Sequence, residues 1–395
     1  MKMLSNRTIV FSLCLCLVAF LTVDVFSQEP IETGQQKKIT LDKQVWASPY
    51  KSQGTGGSCS IHSVISFLES EVYRIHQTKI ELSQQHCHCH SYIEKMQKCL
   101  RFRDPNLFRK GGHFGDVLRV IKKYGAMPYD AYEGTLKKED IANYNNLFKE
   151  LTGEFRKQLW GKAEKNELNI TWKDGVITRP WLEDLKELLD KHMGVYPETF
   201  IYNGREYTSI EFANRVMNLN LEHYVKLTSY SYIPYYQPGE LLVRDNWLHD
   251  HDFYNLPVDD FIKTIDYAVN HGYSVAVDIH ITPELYSDSS KNYADYREDE
   301  VVTQDRRDEL FDNWLTSDVH LFHLIGIAHD EFGKTYYLIK DSVGEEMGMI
   351  PPTFYSENYF RARVLAVMVH KDGIPEDIKE KLVTDLPPKN GGSSG

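Results

Sequence analysis

One arrangement in the sequence has the makings of nucleophilic chemistry. The segment Gln53-Gly54-Thr55-Gly56-Gly57-Ser58-Cys59 is followed by Ile61, Val64, Ile65, Leu68 and Val72 at helical spacing, so a glycine-rich loop delivers Cys59 to the first turn of a helix. Unpaired backbone N–H groups and the macrodipole favour an anion there, which makes the thiol a candidate nucleophile. A buried structural cysteine is the commoner fate of this residue, but it seldom follows such a loop directly. Gln53, one loop upstream, is placed to donate its side-chain amide to an oxyanion beside the thiol. A thiol nucleophile needs a base held by a third group. The run Asp318-Val319-His320-Leu321-Phe322-His323-Leu324-Ile325-Gly326 offers two histidines on a predicted strand. They point to opposite faces, so only one can meet the thiol.

A second constellation is weaker. His86-Cys87-His88-Cys89-His90 contains competent zinc ligands, and His86 and His90 share a helical face. The surrounding pattern is helical, however, and neighbouring side chains on a helix fan around its axis instead of converging. The expectation is therefore no metal, with the thiols packed or one of them paired with Cys99. Four cysteines remain beyond residue 27, namely Cys59, Cys87, Cys89 and Cys99, too few in so long a chain for a disulfide framework. If one is reactive, three are left and cannot all pair within the chain. No cofactor is called for.

These residues need a scaffold, and 395 residues suffice for one large domain or two lobes. The formal charge of −12 and pI near 5.7 argue against a nucleic-acid surface. Beyond the helix at Cys59, a second carries Phe114, Val117, Leu118 and Ile121 and stops near Gly125; helical patterns also occupy parts of 135–225 and about 258–271. Strands are predicted over Ser274–Ile281, His320–Ala328, Thr335–Lys340 and Val364–Val369. Helices early and strands late describe an α+β protein with a helical lobe, a sheet lobe and a cleft between them. At the start, Lys2 and Arg7 precede an apolar run from Ile9 to Phe20, and Ser27 is small. Residues 1–27 therefore read as a signal peptide, with a secreted or periplasmic protein and no stable membrane span after cleavage. Residues 386–395 end in Gly391-Gly392-Ser393-Ser394-Gly395 and read as a flexible tail.

The nucleophile segment resembles that of the papain superfamily, in which a Gln-Gly pair and a short loop lead into Gly-Ser-Cys at the start of a central helix. Gln53-Gly54 and Gly57-Ser58-Cys59 match it at the same spacing. The resemblance is greatest to the bleomycin hydrolase and bacterial aminopeptidase C branch, and runs from about Gln53 to about Leu382. It rests on Ser66-Phe67-Leu68-Glu69-Ser70-Glu71, Gly111-Gly112, Lys122-Lys123-Tyr124-Gly125, Tyr132-Glu133-Gly134, Asp245-Asn246-Trp247, Tyr254-Asn255-Leu256-Pro257 and His370-Lys371-Asp372, which occur in the family's order.

The resemblance implies a papain-like two-lobe fold over 28–385, with an insertion at about 135–240, and a thiol peptidase acting on peptide or protein substrates. The family's catalytic histidine opens a strand six residues before a glycine, which selects His320 with Gly326 over His323. Lys340-Asp341-Ser342-Val343-Gly344 resembles the family's Lys-Asn-Ser-Trp-Gly, so Asp341 stands where an asparagine orients the imidazole. A carboxylate can hold the same tautomer. Gly111-Gly112 matches a glycine pair that binds extended substrate as an added strand. Ser60, His62 and Val343 replace aromatic residues of the family, so the histidine and its orienting group are expected to sit in a wetter, weaker environment. That departure motivates the alternative of a catalytically impaired, papain-like peptide-binding protein. Aminopeptidase action is implied too, although the family's preference depends on its C-terminal tail, and this tail differs in Pro387-Pro388 and its Gly/Ser end. An oligomer is compatible with the sequence.

Overall fold

The structure, a computed structural model, describes residues 37–133, 141–282, 285, 292–297, 300–344, 349 and 351–382. The signal peptide expected over 1–27 and the tail expected over 386–395 lie outside the described residues. From Lys37 onward the chain clusters as one compact unit.

Helix α1 spans Cys59–His76, and every residue from Cys59 to Val72 is buried. A helix enclosed on all sides is a central one. It is flanked by α2 (Gln84–Phe102), whose N-cap Ser83 accepts the His86 N–H, and by α3 (Phe114–Tyr124), which ends at Gly125. These helices form one lobe.

The other lobe is a sheet whose central strands are β1 (Ile39–Gln44), β2 (Tyr224–Thr228), β3 (Val275–Ile279), β4 (His320–Asp330), β5 (Thr335–Lys340) and β6 (Val364–His370). Their spatial order is β5-β4-β3-β6-β2, all antiparallel. The first half of β4 pairs with β3 and the second half with β1, which accounts for its eleven residues. Alternation divides the strands between two cores. Ala276, Leu321, Ala366 and Met368 face α1 and α3. Val275, Val277, Phe322, Leu324, Val367 and Val369 face Phe261, Ile265 and Val269 of helix α4, Val258–Asn270. A sheet covered on both faces explains why β4 and β6 read as nearly continuous apolar runs.

A third core is supplied by helices at Ile141–Glu150, Arg156–Glu164 and Pro180–Met193, where Leu147, Leu159, Trp181, Leu185 and Leu189 pack on Cys89, Tyr92, Met96 and Cys99 of α2. These helices lie within the range 135–240 for which the resemblance implies an insertion. β2 lies inside that range and pairs with β6 in the main sheet. Its central Lys226 is buried and held by Asp250 at 2.6 Å, so a polar residue interrupted the apolar pattern by which a strand is recognised. Among the described residues no helix is long and apolar enough to cross a membrane.

Candidate active site

The position of Cys59 follows from how α1 lies on β4. Ser63 Oγ donates to the Phe322 carbonyl at 2.8 Å, and Ser66 Oγ is bonded to His323 Nδ1 at 2.8 Å. Helix and strand thus run in the same direction, and seven residues of helix rise about as far, ~10 Å, as three residues of strand. Cys59, seven residues before Ser66, is accordingly level with His320, three before His323. The His320 ring is bonded to the Asp341 carboxylate, and Asp341 and Cys59 both raise its pKa.

Asp341 Oδ1 lies 2.7 Å from His320 Nε2 and also accepts the backbone N–H groups of Ser342 at 2.6 Å and Val343 at 3.1 Å. Burial alone would lower the pKa of His320. The charge and hydrogen bond of Asp341, reinforced by Cys59, override it and push the imidazole up to about 10. The wetter environment expected from Ser60, His62 and Val343 is not what the structure has. The side chains of His320 and Asp341 are only 5% and 6% exposed. Val343 is itself buried, the Phe322 ring stands 6.4 Å from the His320 ring, and apolar packing does the sheltering that a tryptophan was expected to do. Ser60 is buried against the Gly112 backbone, and His62 is tied to the Ser58 carbonyl at 3.0 Å. Burial lowers His62 to about 4, which keeps it neutral.

Gln53 is anchored to the segment that carries Asp341. Its backbone N–H donates to the Ser342 carbonyl at 2.8 Å, and its side-chain oxygen accepts the Ser342 hydroxyl at 2.9 Å. The loop before α1 and the loop after β5 are thereby joined, which fixes the amide of Gln53 in the same neighbourhood as the thiol and imidazole. His323 does not join them: it is fully buried on the α1 face, and burial holds it well below its ordinary pKa.

Gly111 and Gly112 adopt positive φ values of 84° and 159°. Gly111 donates its N–H to the Gly57 carbonyl at 3.1 Å, close to Cys59 in the chain. The Gly112 N–H, expected to face substrate, donates instead to Asp245 Oδ2 at 3.2 Å. A Cβ at Gly111 would come within 2.1 Å of the same carboxylate, so glycine here admits Asp245. Sequence reasoning gave Asp245 no role. Its place in Asp245-Asn246-Trp247 was visible, but nothing local in sequence tells that a loop will fold back over residues 111–112.

The histidines and thiols of α2 are structural. His86 bonds the Gly125 carbonyl and the Tyr196 hydroxyl, each at 2.9 Å, and His88 stacks on Tyr144. The four described cysteines are free, and burial pushes Cys87 and Cys89 up to about 12. No group of three or more possible metal ligands occurs among the described residues.

Comparison with known proteins agrees with this fold. Aminopeptidase G of Lactobacillus delbrueckii subsp. lactis is 21% identical over 346 residues, covering 81% of this chain and 77% of that protein. The crystal structure of PepW from Lactobacillus rhamnosis HN001 is similar with a TM-score of 0.59 at 17% identity, covering 88% of this chain and 84% of that one. The Peptidase C1-like family matches residues 102–389, a span that contains His320 and Asp341 and begins after Cys59. The chain therefore belongs to the Peptidase C1-like family and is a papain-like cysteine peptidase of the aminopeptidase C branch.

Proposed function

We propose that this protein is an exported aminopeptidase in which Cys59 is the nucleophile, His320 the proton carrier and Asp341 its orienting group. The observation that supports this reading is the 2.7 Å bond between His320 Nε2 and Asp341 Oδ1, with Cys59 close enough to the ring to raise its pKa as well. The sulfur attacks the peptide carbonyl, and the developing oxyanion is met by the Cys59 backbone N–H and the Gln53 amide. His320 passes its proton to the leaving amine as the C–N bond breaks. It then takes a proton from the water that attacks the thioester, and the acid product leaves with Cys59 restored.

Removal of N-terminal residues is favoured over internal cleavage by two observations. Asp245 occupies the Gly111–Gly112 edge along which a longer chain would extend, and the relative named above is called an aminopeptidase. Export is supported by the charged start and apolar run of residues 1–27; an exported protein that still begins at Met1 would exclude cleavage. Peptidase action is tested with a library of free and N-blocked peptides under reducing conditions, with Cys59→Ala as control. Turnover of free-amine peptides by wild type only is the expected result, and equal turnover by Cys59→Ala would remove Cys59 from the reaction.

A further inference from the structure

Residues 241–250 join the two sides of the cleft. Leu241 is fully buried in the α1 core. Asp245 accepts the Gly112 N–H on the helical side, while its own backbone N–H donates to Asp318 Oδ2 at 2.6 Å on the sheet side. Trp247 locks the strap to α3 through its indole N–H, 2.5 Å from Asp116 Oδ2. Asp318 stands two residues before His320, so the strap closes the cleft near the candidate reacting pair.

Carboxylates gather beneath this closure. Asp278, on β3, pairs in register with Leu321 and faces the same interlobe space. One oxygen meets His113 Nε2 at 3.1 Å. The other, Oδ1, makes no hydrogen bond of good geometry among the described residues although the side chain is fully buried, the Ile279 backbone N–H lending the carboxylate only weak support. A buried carboxylate oxygen without a well-placed donor is costly unless something supplies one. Asp318 feels the charges of Asp278 and Asp245, and Asp278 feels those of Asp245 and His320. Burial is the largest cause holding all three carboxyls above their ordinary values, which an added cation would reverse. The cations that reach Asp245 are Lys95, His113 and Arg109. Lys95 spends its hydrogen bonds on the Arg109 and Gly111 carbonyls, and burial lowers His113 to about 4, leaving it neutral.

We propose that Asp245, Asp278 and Asp318 anchor a primary ammonium group of the substrate at the closed end of the cleft. An ammonium has three donors and no acceptor, which suits a group of carboxylates with a poorly matched oxygen. The strap stops the chain where the α-ammonium of an N-terminal residue would lie, so amine recognition and truncation of the cleft are one device. This inference rests on the aminopeptidase reading.

The test uses the full chain with Cys59 alkylation by iodoacetamide, which needs no turnover, beside hydrolysis of matching coumarin amides. Leucinamide, N-acetyl-leucinamide and N-acetyl-lysyl-leucinamide are compared as protecting ligands. Leucinamide is expected to protect at roughly ten- to a hundredfold lower concentration than its acetylated form, the worth of a charge-assisted bond. Asp245→Asn and the near-isosteric Asp278→Asn should each bring that ratio towards one, with thermal melting confirming that each variant folds. Equal protection by free and blocked leucinamide overturns the proposal, and so does a ratio unmoved in both variants. Weak protection by the blocked lysyl compound assigns the site to the α-ammonium; protection matching leucinamide assigns the ammonium to a lysine side chain. Selective protection without cleavage would retain the anchor and remove the peptidase reading, whereas cleavage indifferent to the amine would do the reverse.

Discussion

His320 Nε2 and Asp341 Oδ1 lie 2.7 Å apart in a setting that excludes water, with the backbone N–H groups of Ser342 and Val343 on the same carboxylate oxygen. The carboxylate is thus oriented before any substrate arrives, and its charge is what lifts the imidazole against the effect of burial.

Asp341→Asn should retain activity but move the basic limb of the kcat/KM profile to lower pH. In wild type the imidazolium persists until pH rises through about 10, and the amide keeps the hydrogen bond without the charge. The same shift bears on stability. A histidine raised on folding contributes stability that is fully present below its ordinary value of 6.5 and is lost as pH rises through about 10. Denaturant unfolding of wild type and variant at several pH values should therefore converge at the alkaline end. An unmoved basic limb would exclude Asp341 as the partner of the imidazole.

Val343→Trp should lower activity, although the family element that residues 340–344 resemble carries a tryptophan here. The sequence alone suggests that the ring is missing and that restoring it would shelter the pair. In the structure Val343 is already buried and the pair already dry. A larger side chain overpacks the site, at a typical cost of about 1–3 kcal/mol. Thermal melting and kcat at saturating peptide check this, and a gain in both would show unfilled space beside Asp341.

What was legible in the sequence is what periodicity and local spacing encode. The helix beginning at Cys59, the stop at Gly125 and the strand Thr335–Lys340 appear where the patterns place them. The pairing of His320 with Asp341 was implied by resemblance alone, and how α1 meets β4 through Ser63 and Ser66 is announced by no local pattern. β1 and β2 were missed for opposite reasons. β1 is mostly exposed, so it lacks an apolar run, while β2 carries a buried lysine matched by Asp250 from another segment. The role of Asp245 was illegible because it depends on a loop folding back onto two glycines.

The thiols should separate by reactivity. Burial pushes Cys87 and Cys89 up to about 12 and Cys99 to about 11, so at pH 8 they are protonated and enclosed. Iodoacetamide followed by peptide mass mapping should find Cys59 modified first, with Cys87, Cys89 and Cys99 reacting after denaturation. Dialysis against a chelator should leave activity and melting temperature unchanged, since His86 and His88 are occupied by hydrogen bonds or stacking. A lower melting temperature after chelation would reopen residues 86–90 as a metal site.

Ser66→Ala tests whether docking of α1 on β4 sets the geometry of the site from a distance. The hydroxyl is bonded to His323 Nδ1 at 2.8 Å and accepts from Lys340 Nζ at 2.7 Å. His323 Nε2 has no partner among the described residues, so losing the serine leaves both ring nitrogens unmatched in a fully buried position. Such a loss costs about 1–3 kcal/mol, read as a drop in melting temperature. Lys340 adjoins Asp341, and Ser66 fixes the register that sets Cys59 level with His320, so kcat should fall as well. Asp341 and the bond it makes to His320 are untouched by the change, and the basic limb of the pH profile should stay in place. Asp341→Asn moves that limb and Ser66→Ala does not, which separates a residue that tunes the imidazole from one that only aligns it. A shifted limb in Ser66→Ala would mean that the helix–strand register and the charge of the pair are not independent.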